Sequence, residues 1–449
     1  GIDNFVDSRT ERFPVMSASY PTGFLTKYNI IEKQFNNDVF ARASKVFNSN
    51  FSGNLIVGAN YNSRSTTNFY NQIIGFTLPD APDILTNAPN ANLLSTNGRT
   101  LQRTYAYYAQ AEAQLYDQLF VTLTARRESA STYANSFFFP SAAVAWQFTK
   151  LAGLQGNSLL SFGKLRLTFG QVGIQPTPYL QNTIFNLAQP GDGYAGGLSA
   201  AGYGGGFIRG SVYGNPNVKP ERVTEYELGT DLRFFDNKVN LSVTTYYRET
   251  SDMLLNISLN TPVAYGSTWQ NAAKMSNKGL EVELGADILK SGKLTWNIST
   301  NFSLYRNNVI SLAGTDVQYP AGTYGGFAVI EKHPFGVFFN TDFLHDDQGK
   351  YILDSNGFPQ AGNQQEVMGN SNPQWRGGIG NTLSYGNLTL YALVDRVYGN
   401  QFWNGTRGAL YTFGTHADNG HTIVAAQDLK DVNGNTLEAF WKSTIRQKG

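Results

Sequence analysis

Four groups of residues have types and spacings suited to chemistry. Gly191-Asp192-Gly193-Tyr194-Ala195-Gly196 fits the GxGxxG spacing of a dinucleotide turn. That turn needs a strand before it, a helix after it and an acidic residue further on. None is apparent here, and the segment runs on through Gly197, Gly202 and Gly204-Gly205-Gly206, the composition of a flexible loop. The second group is acidic. His345-Asp346-Asp347-Gln348-Gly349, Asp354-Ser355-Asn356-Gly357 and Asp431-Val432-Asn433-Gly434-Asn435 offer oxygen ligands to calcium. None completes a calcium loop with its terminal bidentate Glu, so turns favoured by Asp, Asn and Gly account for them and calcium is not favoured. The four histidines, His333, His345, His416 and His421, lack the spacing of HExxH, so no metal site and no cofactor is expected.

Third, Glu281 and Glu283 stand two apart and share a strand face, as paired acid and base carboxylates would. A water-facing wall gives the same pattern with no reaction, so no catalytic residue is assigned and the chain is not expected to be an enzyme. Fourth come aromatic residues in long connecting segments: Tyr194, Tyr203, Phe207, Tyr213, Trp269, Tyr324, Phe402 and Trp403. Rings with a polar handle stack on sugar faces or grip peptide side chains, which makes these the candidates for substrate binding. Packing of loop on loop, or of loop on a partner protein, accounts for the same rings.

The elements that must position these residues are strands. Aromatic residues make up 14% of the chain and charged residues only 15%, beside 46 glycines, a composition of strands and turns. The formal net charge of +1 is spread along the sequence and gives no footprint for nucleic acid. The absence of cysteine removes disulfides and thiolate chemistry. No apolar run reaches the length of a membrane-spanning helix, about 18 residues or more. A membrane barrel is compatible with this, because half of each of its strands is polar. The first residues, Gly1-Ile2-Asp3-Asn4, do not form an export signal.

Period-two alternation is clearest in three runs. From Lys238, the residues Val239, Leu241, Val243, Thr245 and Tyr247 oppose Asn240, Ser242, Thr244, Tyr246 and Arg248. From Gly279, the set Leu280, Val282, Leu284, Ala286 and Ile288 opposes Glu281, Glu283 and Asp287, and from Lys293, Leu294, Trp296, Ile298, Thr300 and Phe302 oppose Thr295, Asn297, Ser299 and Asn301, with no slip of register. Further strands begin near Asn54, Tyr105, Leu119, Leu165, Glu225 and Leu388. Strand pairs are joined by tight turns such as Phe235-Asp236-Asn237-Lys238, Lys290-Ser291-Gly292-Lys293 and Tyr385-Gly386-Asn387, and separated by long irregular stretches such as Gln175 to Pro220 and Ser311 to Ser371. Short turns on one side and long loops on the other, with strands of roughly 9 to 11 residues, describe an outer-membrane barrel. Aromatic girdles at strand ends are expected from Tyr246-Tyr247, Phe234-Phe235, Phe137-Phe138-Phe139 and Trp296.

The fold expected is therefore all-β, a transmembrane antiparallel barrel. Leu241, Val243, Leu280, Val282, Leu284, Ile298 and Phe302 face lipid, and Glu281, Glu283, Asp287, Asn297 and Ser299 face the lumen. Roughly fourteen strands fall short of the ~22 of plugged transporter barrels, so an unpaired strand edge is expected near each end of the chain.

Several stretches together resemble the SusC/RagA family of TonB-linked transporters: GNPNVKPERVTEYELGTDLRFFDNKVNLSVTTYYRETSDMLL from Gly214, NAAKMSNKGLEVELGADI from Asn271, HPFGVFF from His333, GNSNPQWRGGIGNTLSYGNLTLYALVD from Gly369, FFPSAAVAWQF from Phe138 and GKLRLTFGQVG from Gly163. The resemblance implies a large, plugged barrel in a Bacteroidota-type outer membrane, energised by TonB and capped by a SusD-like surface lipoprotein, importing glycans, peptides or other oligomeric nutrients. Motifs of the plug and of the last, aromatic-terminated strand are not found. Residues 1–449 are thus expected to be the C-terminal part of the barrel, with the plug domain and last strands not present. A passive outer-membrane porin and a secreted all-β glycan-binding protein are the alternatives, and the substrate stays open.

Overall fold

The computed structural model describes residues 1–188, 206–259, 265–314, 317–318, 326–354 and 359–417. In chain order the strands are β1 (Ile2–Phe13), β2 (Phe24–Asn48), β3 (Phe51–Ile74), β4 (Leu93–Leu115), β5 (Leu119–Ala130), β6 (Phe137–Trp146), β7 (Leu160–Ile174), β8 (Phe185–Ala188), β9 (Gly206–Arg209), β10 (Val212–Tyr213), β11 (Glu221–Phe234), β12 (Val239–Ser258), β13 (Ser267–Ser291), β14 (Leu294–Ser311), β15 (Val317–Gln318), β16 (Phe327–Ile330), β17 (Val337–Phe343), β18 (Ala361–Asn370), β19 (Trp375–Tyr385) and β20 (Leu388–Tyr398). One short helix, α1 (Gly405–Thr412), follows and was not foreshadowed by the strand pattern. The main sheet has fourteen strands, in agreement with the number expected, although one of them is the two-residue β10, paired in parallel with β13. Its end strands, β1 and β20, have a neighbour on one side only among the described residues.

The chain divides into two compact units, Gly1–Leu232 with Arg248–Ala273, and Arg233–Tyr247 with Lys274–Gly449. In the first, the strands pair without interruption from β1 to β7, with tight turns between β2 and β3 and between β4 and β5 and longer connections elsewhere. Directly opposed residues of an antiparallel pair share a face, so the register reads out rows across the sheet. One row runs Ala43, Leu55, Ala111, Leu123, Ala142, Phe169, and a second Val121, Val144, Leu167. One residue along, the row is Ser44, Asn54, Glu112, Thr122, Ala143, Thr168. One face is apolar and the other polar. The apolar face is not covered by protein: Val39, Leu123 and Leu167 are exposed on it.

The second unit repeats the scheme. Leu284, Thr300, Ile379 and Val394 form one row, and Ala286, Ile298, Asn381 and Ala392 the next. Glu283, Asn301, Gly378 and Asp395 lie on the opposite face. The expected sets therefore do share faces: Leu280, Val282 and Leu284 with Phe302 and Ile298, and Glu281, Glu283 and Asp287 with Asn297 and Ser299. Val394 is 70% exposed, as an apolar residue is when its face awaits a solvent other than water. The expectation of no slip fails at one place. Asp287 pairs with Asn297 but Leu289 with Trp296, so Ile288 is the extra residue of a β-bulge and Leu289 takes its place in the apolar set.

Several strands outrun a membrane; β2 and β13 have 25 residues each. The turns Ser291-Gly292-Lys293 and Tyr385-Gly386-Asn387 are tight because Gly292 and Gly386 adopt φ of 56° and 58°. The long connections are less irregular than expected. Within Gln175 to Pro220, β8 pairs with β9 and β10 joins β13, and within Ser311 to Ser371, β15 to β18 form a four-stranded sheet. Their strands are short, and β17 and β18 are interrupted by register shifts, which hides the alternation. Buried side chains gather where strands give way to long connections: Leu25 and Ile73 at the ends of β2 and β3, Val218 within Gln175 to Pro220, and Val309, Leu312, Val329 and Val337 about Ser311 to Ser371. Phe139 is a correction to the expected girdle, since it is buried over Gly173 while Phe138 is exposed.

Candidate functional site

The connections that carry the candidate aromatic residues are held at their roots by side-chain amides. In the first unit, the connection leaving β7 begins at Gln175. Its Nε2 donates to Glu128 Oε1 at 2.7 Å and to Thr104 Oγ1 at 3.0 Å, and its Oε1 accepts from Gln102. Glu128 also accepts from Arg126 at 2.7 Å and from the Tyr133 hydroxyl at 3.2 Å. Burial, and then the Glu128 charge, push the Tyr133 phenol well above its ordinary range, so it stays a neutral donor. The Tyr179 hydroxyl accepts from the Leu101 amide, which lays the chain over β4.

The same connection returns through Gly214-Asn215-Pro216-Asn217-Val218-Lys219. Gly214 packs so close to the backbone of Asn182 and Thr183 that a Cβ would lie 2.2 Å from the Asn182 carbonyl carbon. Asn215 Nδ2 donates to the Trp269 carbonyl at 2.8 Å. Asn271 closes the clasp: its Oδ1 accepts from the Lys219 amide at 3.0 Å and its Nδ2 donates to the carbonyls of Lys219 and Asp252 at 2.8 and 2.7 Å. Lys219 Nζ then pairs with Asp252 at 2.8 Å.

The second unit has its own clasp. Asn307 Oδ1 accepts from the Phe335 amide at 2.6 Å, while its Nδ2 donates to Asn277 Oδ1 at 2.7 Å. Asn372 Nδ2 donates to the Phe335 carbonyl at 2.6 Å, and Ser371 Oγ to the Gly336 carbonyl at 2.6 Å. The stretches beginning at Asn271, His333 and Gly369 thus meet as hydrogen-bonded roots of loops.

The sequence matches the family described as TonB dependent receptor-like, beta-barrel, over residues 7–427. The chain belongs to this family. Among curated relatives, it is 24% identical over 402 residues to the TonB-dependent receptor P26 of Formosa agariphila, covering 83% of this chain and 40% of that protein. It is 23% identical over 272 residues to the TonB-dependent receptor SusC of Bacteroides thetaiotaomicron, covering 57% of this chain and 26% of that one. Among solved structures, the RagAB peptide transporter superposes with a TM-score of 0.72 at 17% identity, over 91% of this chain and 46% of that chain. The chain spans less than half the length of each. The SusC/RagA-like resemblance, the all-β barrel fold and the outer-membrane location agree with these findings. In such a wall the apolar face meets lipid, the polar face lines the lumen, and the side of the short turns is periplasmic.

On this TonB-dependent receptor barrel the five described candidate aromatic residues are Phe207, Tyr213 and Trp269 in the first unit and Phe402 and Trp403 in the second. Tyr194, Tyr203 and Tyr324 lie outside the described residues, as do the GDGYAG segment, His421 and the Asp431-to-Asn435 turn. In the first unit, Phe207 on β9 is 73% exposed. Tyr213 meets the ring of Tyr265 edge-on at 4.8 Å, and the Arg209 guanidinium stands 4.0 Å from the Tyr265 ring centre. Tyr213 pairs with Thr268, so Trp269, one residue on, turns to the other side of that ribbon. In the second unit, Phe402 and Trp403 are exposed just before α1. Tyr265 and Arg209 were not foreseen; the one available signal was the neighbourhood of other loop aromatics. The acidic turn at Asp346 binds its own backbone, its Oδ1 accepting from the amides of Gln348 and Lys350 at 2.9 Å each. Glu281 and Glu283 stand opposite Ser303 and Asn301 in the register, the arrangement of a lumen wall.

Proposed function

We propose that the intact protein imports an oligomeric nutrient, glycan or peptide, across the outer membrane, with energy supplied through TonB and with a SusD-like lipoprotein closing its mouth. The observation that carries this reading is the rooted loop: the exposed rings of Phe207 and Tyr213 stand on a connection clasped to a lumen wall by Gln175, Asn215 and Asn271, and Phe402 and Trp403 are exposed beyond β20, next to Gln401, whose Oε1 accepts from the Asn370 amide. A clasped root with an exposed aromatic tip presents contact area at small entropic cost, which suits both capture of a solute and docking of a lid. Tyr194, Tyr203, Trp269 and Tyr324 belong to the same candidate set by sequence. The family match supports coupling to TonB, and the similarity to SusC and to the RagAB peptide transporter supports a lidded pair. No covalent step is involved.

The test is uptake of labelled oligosaccharides and oligopeptides by cells producing the full-length protein, in strains lacking TonB, lacking the neighbouring lid gene, or carrying a deletion within residues 191–210. Uptake is expected to vanish without TonB and to fall sharply without the lid or the loop. Undiminished uptake without TonB would replace the importer by a passive porin.

A further inference from the structure

The lipid-facing side of the second unit carries three cations where its apolar band ends. Lys278 and Arg306 are direct partners across β13 and β14, in phase with Leu280, Val282, Leu304 and Phe302. Arg396 on β20 opposes Gly377, which opposes Phe302, so it points the same way. All three lie on the side away from the short turns after β13 and β19, the extracellular side. From Leu280 to Leu289 the apolar residues cover roughly 30 Å of strand, or about 23 Å of height once the usual barrel tilt is applied, close to the thickness of a lipid-facing band. Lys278 and Arg306 therefore stand at headgroup level, and Arg396 ends the apolar run Leu388, Leu390, Ala392 and Val394 of its own strand.

Two like charges directly opposed on a ladder repel unless an anion joins them. Among the described residues no carboxylate pairs with Lys278, Arg306 or Arg396. Their surroundings are aromatic instead. Lys278 Nζ is 5.7 Å from the Tyr247 ring centre, and the Arg396 guanidinium is 5.8 Å from that of Trp375 and 5.3 Å from that of Tyr398. Trp375 and Tyr398 stack 5.5 Å apart, and Arg306 is held beside them by donating Nη1 to the carbonyls of Tyr305 and Gln374 at 3.1 and 2.8 Å. The group spans the width of β13 to β20, about 15 Å at the usual strand spacing, which matches a glycolipid headgroup better than a small ion.

We propose that Lys278, Arg306 and Arg396, framed by Tyr247, Trp375 and Tyr398, bind the phosphate of an outer-leaflet glycolipid. The aromatic girdle sets the depth, and the guanidinium groups supply paired donors to phosphate oxygens. This rests on the outer-membrane location and not on what the protein imports.

The test is native mass spectrometry of the full-length protein in non-ionic detergent, with phosphorylated lipid A, its dephosphorylated form and inorganic phosphate as separate probes. The wild-type protein is expected to retain phosphorylated lipid A, and retention is expected to fall as salt is raised. Lys278→Gln with Arg306→Gln and Arg396→Gln should weaken retention at least about tenfold. Lys290→Gln with Lys293→Gln, at the short-turn side, should leave it unchanged. Should the triple variant fail to fold, Arg396→Gln alone and the salt series still decide the matter. Equal retention of the dephosphorylated lipid, or of phosphorylated lipid by the triple variant, overturns the proposal. So does binding of inorganic phosphate as tight as that of the lipid.

Discussion

The polar faces of the two units hold their carboxylates in different ways. In the first, Glu128 accepts from Arg126, Tyr133 and Gln175, Glu112 from Asn54 and Gln110, and Glu227 with Asp231 embraces Arg166 and Lys164. In the second, Asp287 accepts from Asn297 at 2.8 Å, but Glu281 and Glu283 have neither ion pair nor hydrogen bond among the described residues, and only the register fixes them to the polar face. The saturated carboxylates are structural rivets. The unsaturated ones face the wet lumen, where they contribute field rather than stability.

That difference is tested most severely by Glu128→Ala, which strands Arg126, Gln175 and a buried Tyr133 hydroxyl together. About 2 to 3 kcal/mol should be lost, read as a fall in the unfolding midpoint of the full-length protein in detergent. Asn271→Ala removes three hydrogen bonds at the root of one loop and should cost about 1 to 2 kcal/mol. Its more specific readout is proteolysis, since the 175–220 connection should be cut faster while the wall strands stay protected. Glu283→Gln should change stability by no more than about 0.5 kcal/mol, as surface substitutions away from networks do. A loss as large as that of Glu128→Ala would show a partner for Glu283 that the wall itself does not supply, and would erase the contrast.

The wall was legible in the sequence because a strand wet on one face and lipid-covered on the other must alternate strictly, and β12, β13 and β14 do so over long runs. What alternation could not show is where it is broken on purpose. Ile288 looks like the next member of the apolar set, yet a bulge removes it from the phase. The sheet of β15 to β18 leaves no alternation in the sequence because its strands are as short as two residues and its register shifts twice between β17 and β18. Phe137-Phe138-Phe139 reads as a girdle, yet Phe139 belongs to the loop root and fills the space over Gly173. Asn215, Asn271 and Asn372 stand in the stretches that resemble the family, whereas Gln175 and Asn307 stand outside them. Asn215, Asn271, Asn307 and Asn372 look like ordinary turn asparagines, because an amide that bonds to backbone far away in sequence leaves no local periodicity.

The central claim is that the apolar face of this wall meets lipid and its polar face the lumen. It is tested most directly by spin labels placed singly at positions 280 to 284 of the full-length protein in the outer membrane; this chain contains no cysteine to interfere. Collision rates with oxygen, which concentrates in lipid, should peak at 280, 282 and 284. Rates with a water-soluble nickel chelate should peak at 281 and 283. Peaks in the same phase for both reagents, or in the reversed phase, would contradict the account.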